Sequence, residues 1–419
     1  MIWAILGQVW STLRANKLRS SLTMFGIAWG IMSLILMTSL GEGFRVAQRE
    51  GLRALGKDIL IVWGGRTSLQ SEESQAGRRV RLKYSDYEAI RDRADLIRSI
   101  SPEIIRYDLV SKTHVNSGAL GTHGVIPEYQ YMRSIETQWG RLMNVADDDQ
   151  RRAVCVIGSE ANDQLFDGVN SVGETVFIDG YPFTVVGVMS YKEQNNSYSG
   201  QDRRDIFIPY HTLVKLFSDP DLGRSKDLID NLIAMPADVH VHRQAEEQIR
   251  EVLAEEHRFD PGDEDAVAIW NTARQALLMD FLFRSMQWFL GSVAFVTLVL
   301  GGIGVVNTML ISVKERTVEI GLRKSVGARR RDLLLQFFSE SLTLAGLSGI
   351  VGLVLGWGVC RLVNLLPLPK EVFAGMIITP AVGLIAFAAL AVVGIAAALF
   401  PAHTAAEMDP IQALHYEAG

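Results

Sequence analysis

Hydrophobic residues dominate four stretches of this chain from which charged side chains are absent. These charge-free windows are 20–41, 285–313, 341–360 and 372–406. Each holds at least 20 residues, and at about 1.5 Å per residue such a helix is about 30 Å long, the thickness of a bilayer core. One window alone could be a buried core helix of a soluble protein. Four together predict a membrane protein with four transmembrane α-helices.

The segment between the first two windows, 45–280, has the pattern of a folded polar domain. Two β-prone runs, 175–178 and 183–189, are separated by a short segment that contains Asp-Gly, a strong hairpin signal. Other parts of the segment space their apolar residues at helical intervals. We therefore expect a large α+β domain inserted between transmembrane helices 1 and 2, in two lobes, with the inserted lobe at about 115–235.

The pattern predicts nine successive elements, and their order alternates between the two sides of the membrane. They are an amphipathic cytoplasmic helix (1–18), transmembrane helix 1 (19–44), the extracytoplasmic domain (45–280), transmembrane helix 2 with a stalk (281–313), a charged cytoplasmic loop or helix (314–331), transmembrane helix 3 (332–365), a short extracytoplasmic loop (366–376), transmembrane helix 4 (377–401) and a cytoplasmic tail (402–419).

The distribution of charge sets this orientation. The segment 314–331 has seven basic residues and two acidic ones, and the first 19 residues carry three basic residues and no acid. Short flanks rich in lysine and arginine stay on the cytoplasmic side. The segment 45–280 has 38 acidic and 28 basic residues, a net charge of −10, so the rest of a chain of net charge −6 carries +4.

The sequence offers little to an enzyme. It contains no GxxxxGK[ST] phosphate loop and no strand-linked GxGxxG, so no nucleotide site of those kinds is expected. His240 and His242 could share a strand face, but no third metal ligand accompanies them. Cys155 and Cys360 lie in different parts of the chain and predict no disulfide framework. We expect a protein that is not itself catalytic and that binds no metal or cofactor.

The third window carries small residues at steps of four, which places them on one helix face. They are Ser348, Gly352, Gly356 and Cys360. Small residues in register let two helix backbones approach closely in lipid. We predict that Ser348, Gly352 and Gly356 pack against another helix, within one chain or between two copies.

Four sequence blocks carry a resemblance to a known family. They are the run NKLRSSLTMFGIAWGI at 16–31, the domain segments 140–166 and 172–189 taken together, the run from GGIG to FFSES at 301–341, and PAHTAAEMDPIQAL at 401–414. In this order and spacing the chain resembles the MacB/FtsX-type permease family of ABC transporters over nearly its whole length.

This resemblance implies a transporter subunit that works by mechanotransmission. Family members have four spans per chain, form dimers and pair with cytoplasmic ATPase domains, so ATP and magnesium would be bound by the ATPase. Hydrolysis inside would move the extracytoplasmic domains and drive efflux of a drug, peptide or lipid-like substrate. About 19 residues precede the first window here, so the ATPase is expected on a separate polypeptide.

The resemblance assigns ATPase coupling to the segment ERTVEIGLRKSVGA within 314–331. Glu319 precedes Arg323 by four residues, the favourable order on a helix, and Gly327 is a helix stop. Val318, Leu322 and Val326 form a narrow apolar row suited to a shallow groove. The alternative is a merely basic loop that touches anionic lipid. The predicted coupling residues are Glu315, Arg316, Glu319, Ile320, Gly321, Arg323, Lys324, Gly327 and Ala328.

The expected partners and location also follow from the resemblance. They are a cytoplasmic ATPase, a second copy of the chain, a periplasmic adaptor protein, an outer-membrane channel and the lipid bilayer, with no nucleic acid. The chain would lie in the bacterial inner membrane with both termini cytoplasmic. Two alternatives stay open: a transmembrane scaffold that regulates an extracytoplasmic hydrolase, and a permease that extracts lipoproteins.

Overall fold

A computed structural model describes residues 17–56, 58–70, 75–194, 197–218, 226–369, 373–409 and 413. The chain divides into two compact units. The helical unit comprises the described residues up to Ala47 and from Asp280 onward, and the sheet unit runs from Gln48 to Met279. Most of the amphipathic helix predicted at 1–18 and half of the tail predicted at 402–419 lie outside the described residues.

Four helices are long and apolar enough to cross a membrane within the described part of the chain. They are α1 (Lys17–Leu55), α8 (Thr272–Glu315), α10 (Arg330–Val363) and α11 (Pro380–Glu407), and a short helix, α9 (Thr317–Ser325), lies between α8 and α10.

The helices α1 and α8 are much longer than a bilayer requires. They contain 39 and 44 residues, which at 1.5 Å per residue makes them roughly 58 and 66 Å long against a bilayer core of about 30 Å. Each helix therefore continues beyond the membrane.

Close backbone contacts hold the four helices together. Gly26 on α1 faces Gly301 on α8, where an added Cβ would lie 3.1 Å from the Gly301 Cα. The hydroxyls of Thr23 and Thr308 form a buried hydrogen bond of 2.7 Å between the same two helices. Close approach and shared polar groups replace the hydrophobic effect, which gives no net drive between helices in lipid.

Large apolar side chains cover much of the outside of this unit. Trp288, Phe289, Leu300, Val354 and Phe387 are all exposed. On a soluble protein, so many exposed apolar side chains would mark an interaction site. On four helices that carry charge-free apolar windows, they form the surface that contacts lipid.

The sheet unit mixes short helices with strands. Its helices are α2 (Tyr84–Arg93), α3 (Pro127–Met132), α4 (Val145–Asp149), α5 (Ser159–Phe166), α6 (Tyr210–Phe217) and α7 (His242–His257). Its strands are β1 (Leu60–Gly64), β2 (Ile97–Arg106), β3 (Val110–Lys112), β4 (Ser117–Ala119), β5 (Thr122–Val125), β6 (Thr137–Gly140), β7 (Val154–Ile157), β8 (Thr175–Ile178), β9 (Tyr181–Met189), β10 (Ile206–Pro209), β11 (Asn231–Pro236) and β12 (Val267–Asn271).

These strands form one mixed sheet in the order β12-β1-β11-β2-β5-β10-β7-β9-β8-β3-β4, with β6 paired to β9. The pairs β5–β10 and β7–β9 are parallel and the others are antiparallel. The expected hairpin is present, since β8 and β9 pair around Asp179, which has a positive φ of 46°. The α+β class of the inserted domain is confirmed.

The strand β11 pairs with two strands from the beginning of the segment 45–280. Three apolar clusters pack against the sheet, one of them around the strands from the two ends of the segment. The strand β11 (Asn231–Pro236), near the predicted end of the inserted lobe at about 235, lies between β1 and β2 in antiparallel register. It therefore belongs with the strands from the two ends of the segment, which its sequence position did not reveal.

Candidate functional site

The segment between α8 and α10 folds as the short helix α9. Its apolar residues recur at helical spacing, and at its end Gly327 adopts a φ of +101°. This backbone conformation stops a helix and suits glycine, which has no Cβ to clash. The predicted helix stop is therefore found at the predicted residue.

The inner face of α9 is buried among the spans. Ile320 is 1 % exposed, and Thr317 and Gly321 are buried beside it. Just before α9, the Arg316 guanidinium forms an ion pair with Glu340 on α10, with 3.2 Å between Nη1 and Oε2. Glu340 is almost fully buried, so this pair fixes the start of α9 to the third span.

Two further side chains hold the end of α9. Arg323 donates from Nη1 to Gln336 Oε1 on α10 at 2.8 Å and pairs with Glu319 on its own helix. Lys324 donates from Nζ to the carbonyl oxygens of Ala406 and Met408, at the end of α11, at 2.7 and 2.5 Å. Burial of this ammonium lowers the pKa of Lys324. A cation at the carbonyl end of a helix is stabilised by the helix dipole.

The outer face of α9 carries an exposed apolar row. Val318, Leu322 and Val326 are 49 %, 56 % and 81 % exposed, although all three are aliphatic. We call these three residues the α9 row. It stands on a segment that side-chain contacts hold against α10 and α11.

The predicted coupling residues divide into two groups. Glu315, Glu319 and Gly327 are exposed, and Arg323 and Ala328 are partly exposed. Arg316, Ile320, Gly321 and Lys324 instead face the helical unit and hold α9 in place. Arg323 belongs to both groups, because it is partly exposed and also donates to Gln336 on α10.

The small residues of the third span pack against the first span of the same chain. Ser348, Gly352 and Gly356 on α10 are buried. A Cβ added at Gly352 would lie 2.5 Å from the Ala28 carbonyl oxygen on α1, and one at Gly356 would lie 3.2 Å from the Ile35 Cδ1. Backbone atoms of α1 occupy the space that a side chain at Gly352 would need.

Changing Gly352 to leucine is expected to destabilise the helical unit by about 1–3 kcal/mol, because overpacking forces α1 and α10 apart. Thermal unfolding in detergent micelles measures the effect. The control is Gly358→Leu on the same helix, since a Cβ at Gly358 meets nothing within 4 Å. Equal losses in both variants would contradict close packing at Gly352.

No group of three or more metal-ligating side chains occurs within the described ranges. His240 lies in a single 3-10 turn (Val239–Val241) and His242 begins α7, so the two do not share a strand. Cys155 is fully buried, and burial raises the pKa of its thiol to about 12, which leaves it unreactive.

Sequence profiles of two families match this architecture. The MacB-like periplasmic core domain matches residues 20–252, more than half of the chain, and the FtsX-like permease C-terminal region matches residues 291–410. The chain belongs to the MacB/FtsX-type permease family. It is a multi-pass membrane protein with a large α+β extracytoplasmic domain inserted between its first two spans.

The similarity to relatives in this family covers nearly the whole chain. The macrolide export ATP-binding/permease protein MacB of Bdellovibrio bacteriovorus is 32 % identical over 416 residues, 98 % of this chain and 61 % of the relative. The protein of the same name from Chlorobium luteolum is 32 % identical over 413 residues, 98 % of this chain and 60 % of the relative. The chain therefore spans about three fifths of the length of these relatives.

Part of the chain is also similar to a solved structure. The periplasmic region of MacB from Actinobacillus actinomycetemcomitans is 20 % identical, with a TM-score of 0.43, and the match covers 55 % of this chain and 96 % of that one.

A charged network that sequence reasoning missed lies at the centre of the sheet. Glu103 on β2 is fully buried and accepts hydrogen bonds from Tyr129, Tyr198 and Asn231 at 2.7, 2.6 and 3.1 Å. His123 Nδ1 lies 2.8 Å from Glu103 Oε1. The one sequence signal for this network is the acidic residue Glu103 inside the β-prone run of β2.

Two acidic side chains complete this network. Asp205 Oδ2 lies 3.4 Å from His123 Nε2, and Asp202 pairs with both Arg133 and Lys192. Burial alone would lower the pKa of His123, but the carboxylates of Asp205 and Glu103 raise it to about 10. The imidazole is therefore charged at neutral pH, which balances three acids with three bases.

Proposed function

We propose that this chain is the permease subunit of an ABC-type export system that works by mechanotransmission. The observation that carries the proposal is the α9 row, three exposed aliphatic side chains on a helix that ion pairs and hydrogen bonds fix to the membrane helices. Membership of the family supports a transport function.

The α9 row has the properties of a docking surface for an ATPase. Amphipathic helices bind partner proteins by laying an apolar face into a groove. Here the exposed apolar residues are flanked by Glu319 and Arg323, which can form the polar rim of such an interface. The relatives carry ATP-binding in their names, and ATP and magnesium would be bound by that partner.

The described spans do not resemble a polar channel. Among their described residues, Glu340 is the one acidic or basic side chain that is buried, and it pairs with Arg316. Charged groups along a substrate path through a membrane are normally buried in the bundle interior. Force on α9 would instead pass along α8 and α1, which extend beyond the bilayer, to the extracytoplasmic domain.

The remaining assignments belong to the same proposal. The substrate is a drug, peptide or lipid-like molecule, and the relatives' names point to macrolides as the first to test. The chain works as a dimer in the bacterial inner membrane with its termini in the cytoplasm. A periplasmic adaptor and an outer-membrane channel would carry the substrate onward.

Photo-cross-linking from the α9 row tests this function. A photoreactive amino acid at Leu322 or Val326, in the full chain in native membranes, is expected to capture a protein that contains a Walker-type phosphate loop. Mass spectrometry identifies it. The matched control places the same amino acid at Leu355, an exposed apolar residue of α10 within a span, where lipid is the expected neighbour.

The outcomes separate the possibilities. Capture of an ATPase from the α9 row but not from Leu355 supports the proposal. Capture of lipid from both positions would show that the row touches the membrane surface and would overturn it.

A further inference from the structure

The outer end of α1 stops against a buried cation. Leu55 is the last residue of this helix and its side chain is fully buried in the sheet unit. The carbonyl oxygen of Leu55 is one of the groups that a helix leaves without an internal partner. Arg133 donates to it from Nη1 at 2.8 Å. The negative end of a 39-residue helix therefore meets a positive charge.

The chain turns directly after this contact. Gly56 has a φ of +146°, and a Cβ there would lie 2.7 Å from the Met132 carbonyl oxygen. Met132 is the residue before Arg133, so the backbone after α1 and the backbone that carries Arg133 touch each other. Both the charge and the close approach hold this end of α1 at one place.

The beginning of α8 is fastened at the same point. Thr272, its first residue, donates from its hydroxyl and its backbone nitrogen to the Ile59 carbonyl oxygen at 2.8 and 3.1 Å. Ile59 in turn donates from its nitrogen to the Thr272 hydroxyl oxygen at 3.0 Å. The outer ends of both long helices thus meet within four residues of Leu55.

Arg133 also reaches into the charged centre of the sheet unit. Its Nη2 donates to Asp202 Oδ1, and its guanidinium lies over the Tyr198 ring at 4.9 Å from the centroid. Tyr198 donates to Glu103 at the middle of β2, and Lys192 joins Asp202 to the Arg133 carbonyl oxygen. Arg133 is 0 % exposed, so all these contacts are shielded from water and salt.

We propose that Arg133 fastens the outer end of α1 to the centre of the sheet, so that the helix end and the sheet move as one body. This role rests on the mechanotransmission proposed above. In that mechanism Arg133 is a positioning residue at the extracytoplasmic end of α1, where movement of the helix reaches the domain. It converts displacement of the helix into displacement of the whole extracytoplasmic domain.

Spin labels within the sheet unit test this role. The full chain in lipid nanodiscs receives cysteines at Glu50, in α1, and at Asp163, in α5, which are both exposed. The native cysteines Cys155 and Cys360 are buried and stay unlabelled. Double electron–electron resonance without nucleotide is expected to give a narrow distance distribution in the otherwise unaltered chain.

Two variants loosen the contact in different ways. Arg133→Lys keeps the charge, but a single ammonium cannot replace the separate nitrogens that bind Leu55 and Asp202. The double variant Arg133→Met with Asp202→Asn removes one acid and one base, so the net charge of the network stays the same. Lys192 then keeps the backbone carbonyl oxygen at position 133 and a neutral amide in place of its carboxylate partner. Each variant is expected to widen the distance distribution about twofold, because the end of α1 would then be free to move relative to the sheet.

The control is Arg91→Lys, an exposed arginine on α2, which is expected to leave the width unchanged. Circular dichroism checks that each variant is folded. An unaltered width in Arg133→Lys would overturn the proposal, because the helix end would then be held without Arg133. The measurement needs no ATPase, so failure of the proposed transport function would appear in the cross-linking result and not in this width.

Discussion

Changing Leu322 to aspartate is expected to abolish stimulation of the partner ATPase while the chain remains folded and inserted. Leu322 is 56 % exposed and contributes little to the helical unit itself. Burial of a leucine side chain in a partner groove contributes about 1.5–3 kcal/mol. A carboxylate there loses this contribution and adds the cost of removing a charge from water.

The expected loss of binding is therefore at least about 3 kcal/mol, or more than roughly 100-fold in Kd. The affinity and the ATP hydrolysis rate are measured with the full chain in nanodiscs and the ATPase that cross-linking identifies.

Two control variants separate the apolar contact from charge and from side-chain size. Leu322→Met keeps an apolar side chain of similar volume and is expected to retain most of the stimulation. Arg331→Gln changes the local charge by the same −1 as Leu322→Asp, at an exposed residue outside the α9 row. If Arg331→Gln abolished stimulation as completely as Leu322→Asp, general electrostatics and not the α9 row would be responsible.

Changing Glu103 to glutamine is expected to destabilise the sheet unit by about 3–5 kcal/mol at pH 7, because removal of one partner leaves buried charges unbalanced. His123 would keep Asp205 as its one carboxylate neighbour, and four hydrogen-bond contacts to a carboxylate would become contacts to a neutral amide. Hydrogen exchange of the β2 and β5 amides in the full chain measures the free energy of opening.

The stability of the unaltered sheet unit is expected to fall at both ends of the pH range. An unfolded histidine has a pKa near 6.5, and that of His123 is raised to about 10. The contribution of His123 to the free energy of unfolding is complete below about pH 6.5 and is lost as the pH rises through about 10.

The carboxylates of Glu103 and Asp202 act in the opposite direction. Burial alone would raise the pKa of Glu103 and of Asp202, but hydrogen bonds and neighbouring cations hold both below their ordinary values. Their contribution is present above the pKa of an unfolded carboxyl and is lost as the pH falls through the depressed values. In Glu103→Gln the alkaline decline is expected to weaken, because His123 has lost one of its two carboxylate neighbours.

The matched control for this prediction is Glu88→Gln, the same substitution at an exposed residue of α2. It is expected to change the opening free energy by less than about 0.5 kcal/mol. A similarly small effect of Glu103→Gln would show that the charged network contributes little to the stability of the sheet.

Much of the helical unit could be predicted from the sequence, because a bilayer imposes strict conditions on it. A span needs about 20 residues without charges, so the four windows located the four helices. The row Val318, Leu322 and Val326 followed from helical spacing alone, and the stop at Gly327 from the conformation that glycine permits. What spacing could not reveal is which face of α9 is buried. That depends on Glu340 and the end of α11, which lie far away in sequence.

The sheet unit was harder to predict. The hairpin around Asp179 is a local feature, and local features were found. The position of β11 depends on pairing with β1 and β2, which are more than 120 residues earlier in the chain. An isolated strand sequence does not specify its neighbour, because many apolar runs of similar length can pair with it.

The sequence alone therefore determined that this protein crosses a membrane four times, that its polar domain is inserted after the first span, and that a charged segment between spans carries an apolar row. These features follow from the local composition and from the spacing of apolar residues. Both are set directly by whether a segment lies in water or in the bilayer. The tertiary structure alone decided that Arg133, 78 residues after Leu55, lies at the end of α1. It also decided that three acids and three bases meet inside the sheet. A buried charge is tolerated only beside its partners, and those partners come from distant strands and loops that folding brings together.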